Sequence, residues 1–139
     1  MKITPEMLAR CGTEHGHQCA VFCWANDHKE TWPELESMFA IPNGGLRSKV
    51  TASRLKAEGV KSGVSDIFLP VIRRKPNFIG SNYCYHGLFI EMKIPKGGRI
   101  EPEQIIFQGL MRERGYKAEI CKGWIEAVQT LQDYLQLPK

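Results

Sequence analysis

No stretch of this chain is apolar for anything near the roughly 20 residues that a membrane-spanning helix needs. The first ten residues lack the long apolar segment and small-residue cleavage site of a secretory leader. A protein of the membrane or the secretory route is therefore not expected, and a cytoplasmic setting is. The five cysteines, Cys11, Cys19, Cys23, Cys84 and Cys121, are odd in number and show no paired spacing. That argues against a disulfide framework and fits reduced thiols. Internal repeats, low-complexity tracts and an obvious linker are absent too, so the 139 residues read as one domain, 1–139. Charge of one sign is not in large excess. The formal +4 is a mild bias toward anionic partners, and much of it falls between Arg47 and Arg99.

What is present is an alternation of helical and strand patterns. A first helix is expected over about residues 13–28, with Thr13 as cap, Glu14 at the positive end of the helix dipole, and Val21, Trp24 and His28 on one stripe. Trp32-Pro33 breaks it. Ile41-Pro42-Asn43-Gly44-Gly45 is a turn signal. Ser48 caps a second expected helix that runs to Glu58 with Ala52 and Leu55 inward, and Gly59 stops it. Residues 64–72 are too apolar for a surface strand and read as buried on both faces, with Pro70 interrupting the ladder. Residues 86–94 form the second clear strand. A helix over residues 102–114 follows, with Ile106, Leu110 and Met111 as its buried stripe. A strand from Tyr116 to Cys121 places Tyr116, Ala118 and Ile120 on one face. The last helix carries Trp124, Val128, Leu131 and Leu135 at helical spacing. This order predicts an α/β fold, a mixed sheet flanked by helices.

Two acids interrupt the apolar strands. Asp66 opens one, and Glu91 lies inside the other. A buried carboxylate is costly without a partner, and two neighbouring carboxylates raise that cost unless a divalent cation removes it. Glu91 and Lys93, two apart in a strand, point to the same face with Cα atoms about 6.5–7 Å apart. The bland alternative is a solvated Glu91–Lys93 pair and a turn residue at Asp66. Leu88, Phe89, Ile90 and Ile94 leave little room for a solvent face and favour the site.

Gly63-Val64-Ser65-Asp66, then His86-Gly87-Leu88-Phe89-Ile90-Glu91-Met92-Lys93, then Glu101-Pro102-Glu103-Gln104 resemble, in order, the motifs of the VRR-NUC nucleases, a branch of the PD-(D/E)XK superfamily. The likeness extends to Ile41-Pro42-Asn43-Gly44-Gly45, Leu55-Lys56-Ala57-Glu58-Gly59-Val60, Arg114-Gly115-Tyr116 and the closing Trp124 to Leu135 helix, so it takes in about four-fifths of the chain. Ser65 departs from it, since the family usually has proline there. The resemblance implies a restriction-endonuclease-like core and metal-dependent hydrolysis of DNA phosphodiester bonds. Asp66 and Glu91, with the Met92 carbonyl, would hold Mg²⁺ or Mn²⁺. Lys93 would orient or activate the attacking water, and Gln104 would position Lys93 or that water. Glu14 looks like the family's first-helix acid, which can complete the metal shell. An exposed acid at a helix start is the equal alternative. The resemblance also implies branched DNA, a four-way junction among the candidates, and a homodimer to cut both strands of it.

Other signals are weaker. Arg47, Lys49, Arg54, Lys56 and Lys61 form one basic stretch, and Arg73-Arg74-Lys75 and Lys96 with Arg99 form two others. Arg47, Lys49, Lys61, Lys96 and Arg99 are the candidate contacts to a phosphate backbone. His15, His17, Cys19 and Cys23 invite a zinc reading, but the ligands would crowd one helix, whereas structural zinc takes ligands from two segments. Core cysteine and surface histidine explain them better. The rival to a nuclease is a nucleic-acid-binding module on the same fold that does not cut. The acidic pair argues against it, because a binder gains nothing from carboxylates beside phosphate.

Overall fold

The computed structural model describes residues 1–42, 48–77 and 83–139. Thr4 opens the first helix, α1 (Pro5–Ala9). Its hydroxyl accepts from the Met7 N–H, and Pro5 sits at the first turn, where a missing N–H does no harm. Five residues are too few to show periodicity, and the sequence pattern does not announce this helix. Thr13 repeats the device for α2 (Glu14–Asp27), accepting from the Gly16 N–H at 3.0 Å. The inner face of α2 carries Gly16, His17, Ala20, Val21, Trp24 and Ala25. A 3₁₀ turn (Pro33–Ser37) leads to the short strand β1 (Phe39–Ala40). Ser48 caps α3 (Lys49–Ala57) through the Thr51 N–H. The expected inward face of α3 is not there: Ala52 is exposed and Leu55 only half-buried, because this helix lies on the surface.

The remaining elements are β2 (Ile67–Leu69), β3 (Arg73–Arg74), β4 (Cys84–Tyr85), β5 (Leu88–Lys93), α4 (Pro102–Glu113), β6 (Lys117–Lys122) and α5 (Trp124–Leu135). One sheet has the order β1-β2-β5-β6, antiparallel except for the parallel β5–β6 pair that α4 connects. β3 and β4 form a separate antiparallel pair. The expected strand over 64–72 is thus cut to three paired residues. Pro70 has no N–H for the ladder, and the Val71 N–H turns back to the Leu69 carbonyl at 2.9 Å.

Alternation along β2 and β5 sorts the two faces. Ile67, Leu69, Leu88, Ile90 and Met92 join Val21 and Trp24 of α2 and Leu131 and Tyr134 of α5 in the main core. Each buried Leu or Ile there contributes about 1.5–3 kcal/mol. On the other face Phe68 stacks on Phe89 with centroids 4.3 Å apart, and Phe89 meets Phe107 of α4 edge-on at 5.3 Å. That face also carries Glu91 and Lys93.

α4 does not bury the stripe its sequence suggests. Ile106 and Leu110 are 62% and 46% exposed, and Met111 is half-buried. Gln104, Phe107 and Gln108 engage the sheet side instead. Gln108 Nε2 donates to Ser65 Oγ at 2.8 Å, and Gln104 Nε2 donates to Glu91 Oε1. Polar pairing with buried partners sets the rotation of this helix, because leaving those partners unmet costs more than exposing two aliphatic side chains. Among the described residues no helix is long and apolar enough to cross a membrane.

Candidate active site

Every residue of β5 is buried, Glu91 and Lys93 included, at 3% and 5% exposure. The pair is forced inward because α4 lies over their face of the sheet. The β2–β5 register matches Ile67 with Ile90, and one further step sets Asp66 opposite Glu91. Asp66 is fixed by its own backbone and side chain. Its carbonyl accepts from the Ile41 N–H at 2.7 Å, and its Oδ2 accepts from the Met92 N–H at 2.7 Å. Gly63, three residues earlier, lets α4 come close. It has φ +86°, and a Cβ there would lie 2.3 Å from the Glu103 carbonyl oxygen.

Gln104 reaches the site from the first turn of α4. Its Oε1 accepts from the Glu101 N–H at 2.9 Å, which completes the helix start and orients its Nε2 toward Glu91 Oε1. Lys93 Nζ stands 3.5 Å from the same Glu91 oxygen. The second oxygen, Glu91 Oε2, is buried with no hydrogen-bond partner among the described residues. Burial first, and the Asp66 charge second, push the Glu91 carboxyl up to about 8, against the pull of Lys93. Asp66 is raised as well, chiefly by burial, with the Met92 N–H opposing and the charge of Glu14 adding to it. Two neighbouring carboxyls, both raised above their ordinary range, one with an oxygen unpaired among the described residues, chemically suit a hard divalent cation. Asp66 and Glu91 bring the carboxylate oxygens, and Met92, between Glu91 and Lys93, donates its N–H to Asp66.

The structure thus brings together Asp66, Glu91, Lys93 and Gln104. Glu14 stands exposed at the first turn of α2, and its charge is felt at both acids. The described residues hold no group of three or more His, Cys, Asp or Glu side chains placed to bind a metal, so Glu14 does not join the pair in such a cluster. Gln18, one turn further along α2, is half-buried. Among the basic candidates, Lys49 is exposed at the start of α3, Lys61 is exposed four residues past its end and Lys96 is exposed after β5. Arg99 is paired with Glu101 at 3.0 Å. Arg47 lies outside the described residues, as do Asn43, Gly44 and Gly45 of the expected turn.

Three supporting residues carry no plain signal in the sequence. His17 is buried, not a surface histidine, and its Nδ1 accepts from the Trp124 N–H at 3.1 Å, capping α5. The adjacent Gly123, at φ +91°, donates its N–H to the Lys93 carbonyl at 2.8 Å. Helix α2, the start of α5 and the end of β5 are thereby pinned at one point beside Lys93. Ser65, where a proline is expected, accepts from Gln108 and ties the entry of β2 to α4. A glycine just before a helical run hints at Gly123, but nothing in the local pattern distinguishes His17 from His15.

The VRR-NUC domain model matches residues 5–124. A solved structure of a VRR_NUC domain protein superposes with a TM-score of 0.75 at 26% identity, over 91% of this chain and 91% of that one. No curated protein matches the chain. The expected restriction-endonuclease-like fold stands, with Asp66 just before β2 and Glu91 and Lys93 on β5, the neighbouring strand of the four-stranded sheet. By the span of the model match and the agreement in fold, the chain belongs to the VRR-NUC domain family, a family of nuclease domains.

Proposed function

We propose that this chain is a metal-dependent deoxyribonuclease, one domain over residues 1–139, that hydrolyses phosphodiester bonds at the Asp66–Glu91–Lys93 pocket. The observation that carries the reading is the buried Oε2 of Glu91, without a hydrogen-bond partner among the described residues, beside a second raised carboxylate. Asp66, Glu91 and the Met92 carbonyl would hold Mg²⁺ or Mn²⁺. When bound, the ion polarises a phosphoryl oxygen and lowers the pKa of water. Lys93 supplies a fixed positive charge where the phosphorane-like charge builds, and it orients the attacking water. Gln104 holds Glu91 in one rotamer and leaves the other oxygen for the ion. Burial of Glu91 and Lys93 means that little reorganisation accompanies reaction.

The substrate in this proposal is DNA, with branched forms such as a four-way junction preferred, and the working unit is a homodimer. Exposed Ile105, Ile106 and Leu110 on α4 offer apolar surface for that pairing. Cleavage of labelled junction and duplex DNA in Mg²⁺ or Mn²⁺, with sedimentation to give the mass of the free chain, tests both parts. Cleavage that is lost in Asp66→Ala and Lys93→Ala supports the reading. DNA binding without cleavage in any divalent metal favours the non-cutting module instead.

A further inference from the structure

We propose that a cleft at the outer edge of β6 is a second phosphate-binding subsite for the nucleic-acid strand. The inference rests on the reading above in one respect, that the carboxylate pocket receives the phosphate to be cut. The cleft has a volume of about 250 Å³ and is lined by Lys75, Tyr85, Arg112, Tyr116, Lys117 and Glu119. Three separate chain segments deliver its cations: the segment after β3, the last turn of α4, and β6.

The charges are not balanced locally. Lys75 and Lys117 both lie over the Tyr85 ring, 5.1 and 5.6 Å from its centroid. Arg112 Nη2 donates to the Ala118 carbonyl at 2.7 Å and approaches Gln108 Oε1 at 3.5 Å, and neither acceptor is charged. The one acid in the lining, Glu119, pairs with Lys117 at 3.1 Å. Three cations against one carboxylate repel one another, and an anion in the cleft removes that repulsion. Ammonium and guanidinium donors together favour a phosphate group.

Position argues for a strand over a free phosphate. Arg112 is eight residues beyond Gln104 on α4, about 12 Å along a helix. Lys117 is three residues before Ile120, the cross-strand neighbour of Glu91, about 10 Å along a strand. In register, Lys117 and Glu119 share the face of Leu88 and Ile90, opposite Glu91, so a strand that meets both sites rounds the β6 edge, and at about 3.4 Å of rise per phosphate the separation is at least about three nucleotides. β6 is the outermost strand of its sheet, so a polymer can pass around it.

The test is DNA binding by fluorescence anisotropy across a series of NaCl concentrations, on the full chain, in EDTA so that nothing is cut. A Lys75→Ala/Lys117→Ala variant is expected to reduce the slope of log affinity against log salt by about 0.9, the loss of one phosphate contact. A Lys2→Ala/Lys29→Ala control is expected to leave the slope unchanged. Glu119→Gln is expected to tighten binding several-fold at low salt, which a purely structural role for this edge would not produce. The proposal is overturned by an unchanged slope in the first variant, by an equal change in the control, or by weaker binding of Glu119→Gln. Inorganic phosphate, added in competition at constant ionic strength, separates the sources: displacement at micromolar concentration would assign the cleft to a small phosphate compound and overturn the strand assignment. Because the binding test needs no metal, a chain that binds with the expected slope yet does not cut once Mg²⁺ or Mn²⁺ is supplied would sink the nuclease reading and leave the cleft standing.

Discussion

Replacing Glu91 with glutamine should stabilise the metal-free protein, and only above the ordinary carboxylate range. Glu91 is buried, its Oε2 has no hydrogen-bond partner among the described residues, and its carboxyl is pushed from 4.5 up to about 8 by burial and by Asp66. Below pH 4.5 the group is protonated in the folded and unfolded chain alike, so it adds nothing to the pH dependence. Between 4.5 and 8 the unfolded chain gives up the proton while the folded chain keeps it. Folded protein then binds more protons than unfolded, and stability falls as pH rises through that window. At about 1.4 kcal/mol per pH unit the loss has a ceiling of about 5 kcal/mol by pH 8. Relaxation of the pocket and the coupled response of Asp66 reduce this, and about 2–4 kcal/mol is expected. Glutamine keeps the shape and the acceptor for Gln104 but cannot ionise. Its own amide group brings a desolvation penalty of about 1–3 kcal/mol that is the same at every pH. The difference between Glu91→Gln and the parent chain, measured by urea unfolding in EDTA at pH 4.5, 6 and 8, therefore isolates the titration. A relative gain that grows with pH is expected. A gain that is flat with pH would refute the reasoning.

Lys93→Ala is expected to lower single-turnover DNA cleavage by about 10²–10³-fold while DNA affinity changes only a few-fold, since one fixed charge at the reacting phosphate is lost. Gln104→Ala should weaken Mn²⁺ affinity by about 10–100-fold, as Glu91 loses the group that orients it. His17→Leu leaves the Trp124 N–H without its acceptor and should destabilise the fold by about 1–3 kcal/mol in thermal or urea unfolding. His17→Asn, whose amide oxygen can take the place of Nδ1, should recover most of that.

The sheet was legible where the chemistry was local. The apolar run around Glu91 and the alternation of Leu88, Ile90 and Met92 against Phe89, Glu91 and Lys93 place β5 and its two faces correctly. Thr13 and Ser48 cap the helices they are expected to cap. Legibility failed where a distant partner decides. The apolar count on α4 points to Ile106 and Leu110, but Ser65 and Glu91, from two other segments, turn Gln104 and Gln108 inward. Ala52 reads as core because it falls at helical spacing, yet α3 lies on the surface and buries none of its residues. The strand over 64–72 is apolar throughout, but Pro70 ends its ladder, and Arg73 is buried for a different reason: its guanidinium pairs with Glu34 at 2.7 Å. His17 is invisible for the same kind of reason, its partner being 107 residues away.

Calorimetric titration of Mn²⁺ into the full chain at pH 7, in two buffers of different ionisation enthalpy, bears most directly on the acidic pocket. A cation that displaces the proton held by Glu91 should release close to one proton per ion, and both binding and release should vanish in Asp66→Asn. Binding of equal strength in that variant, or binding with no proton release, would contradict the account.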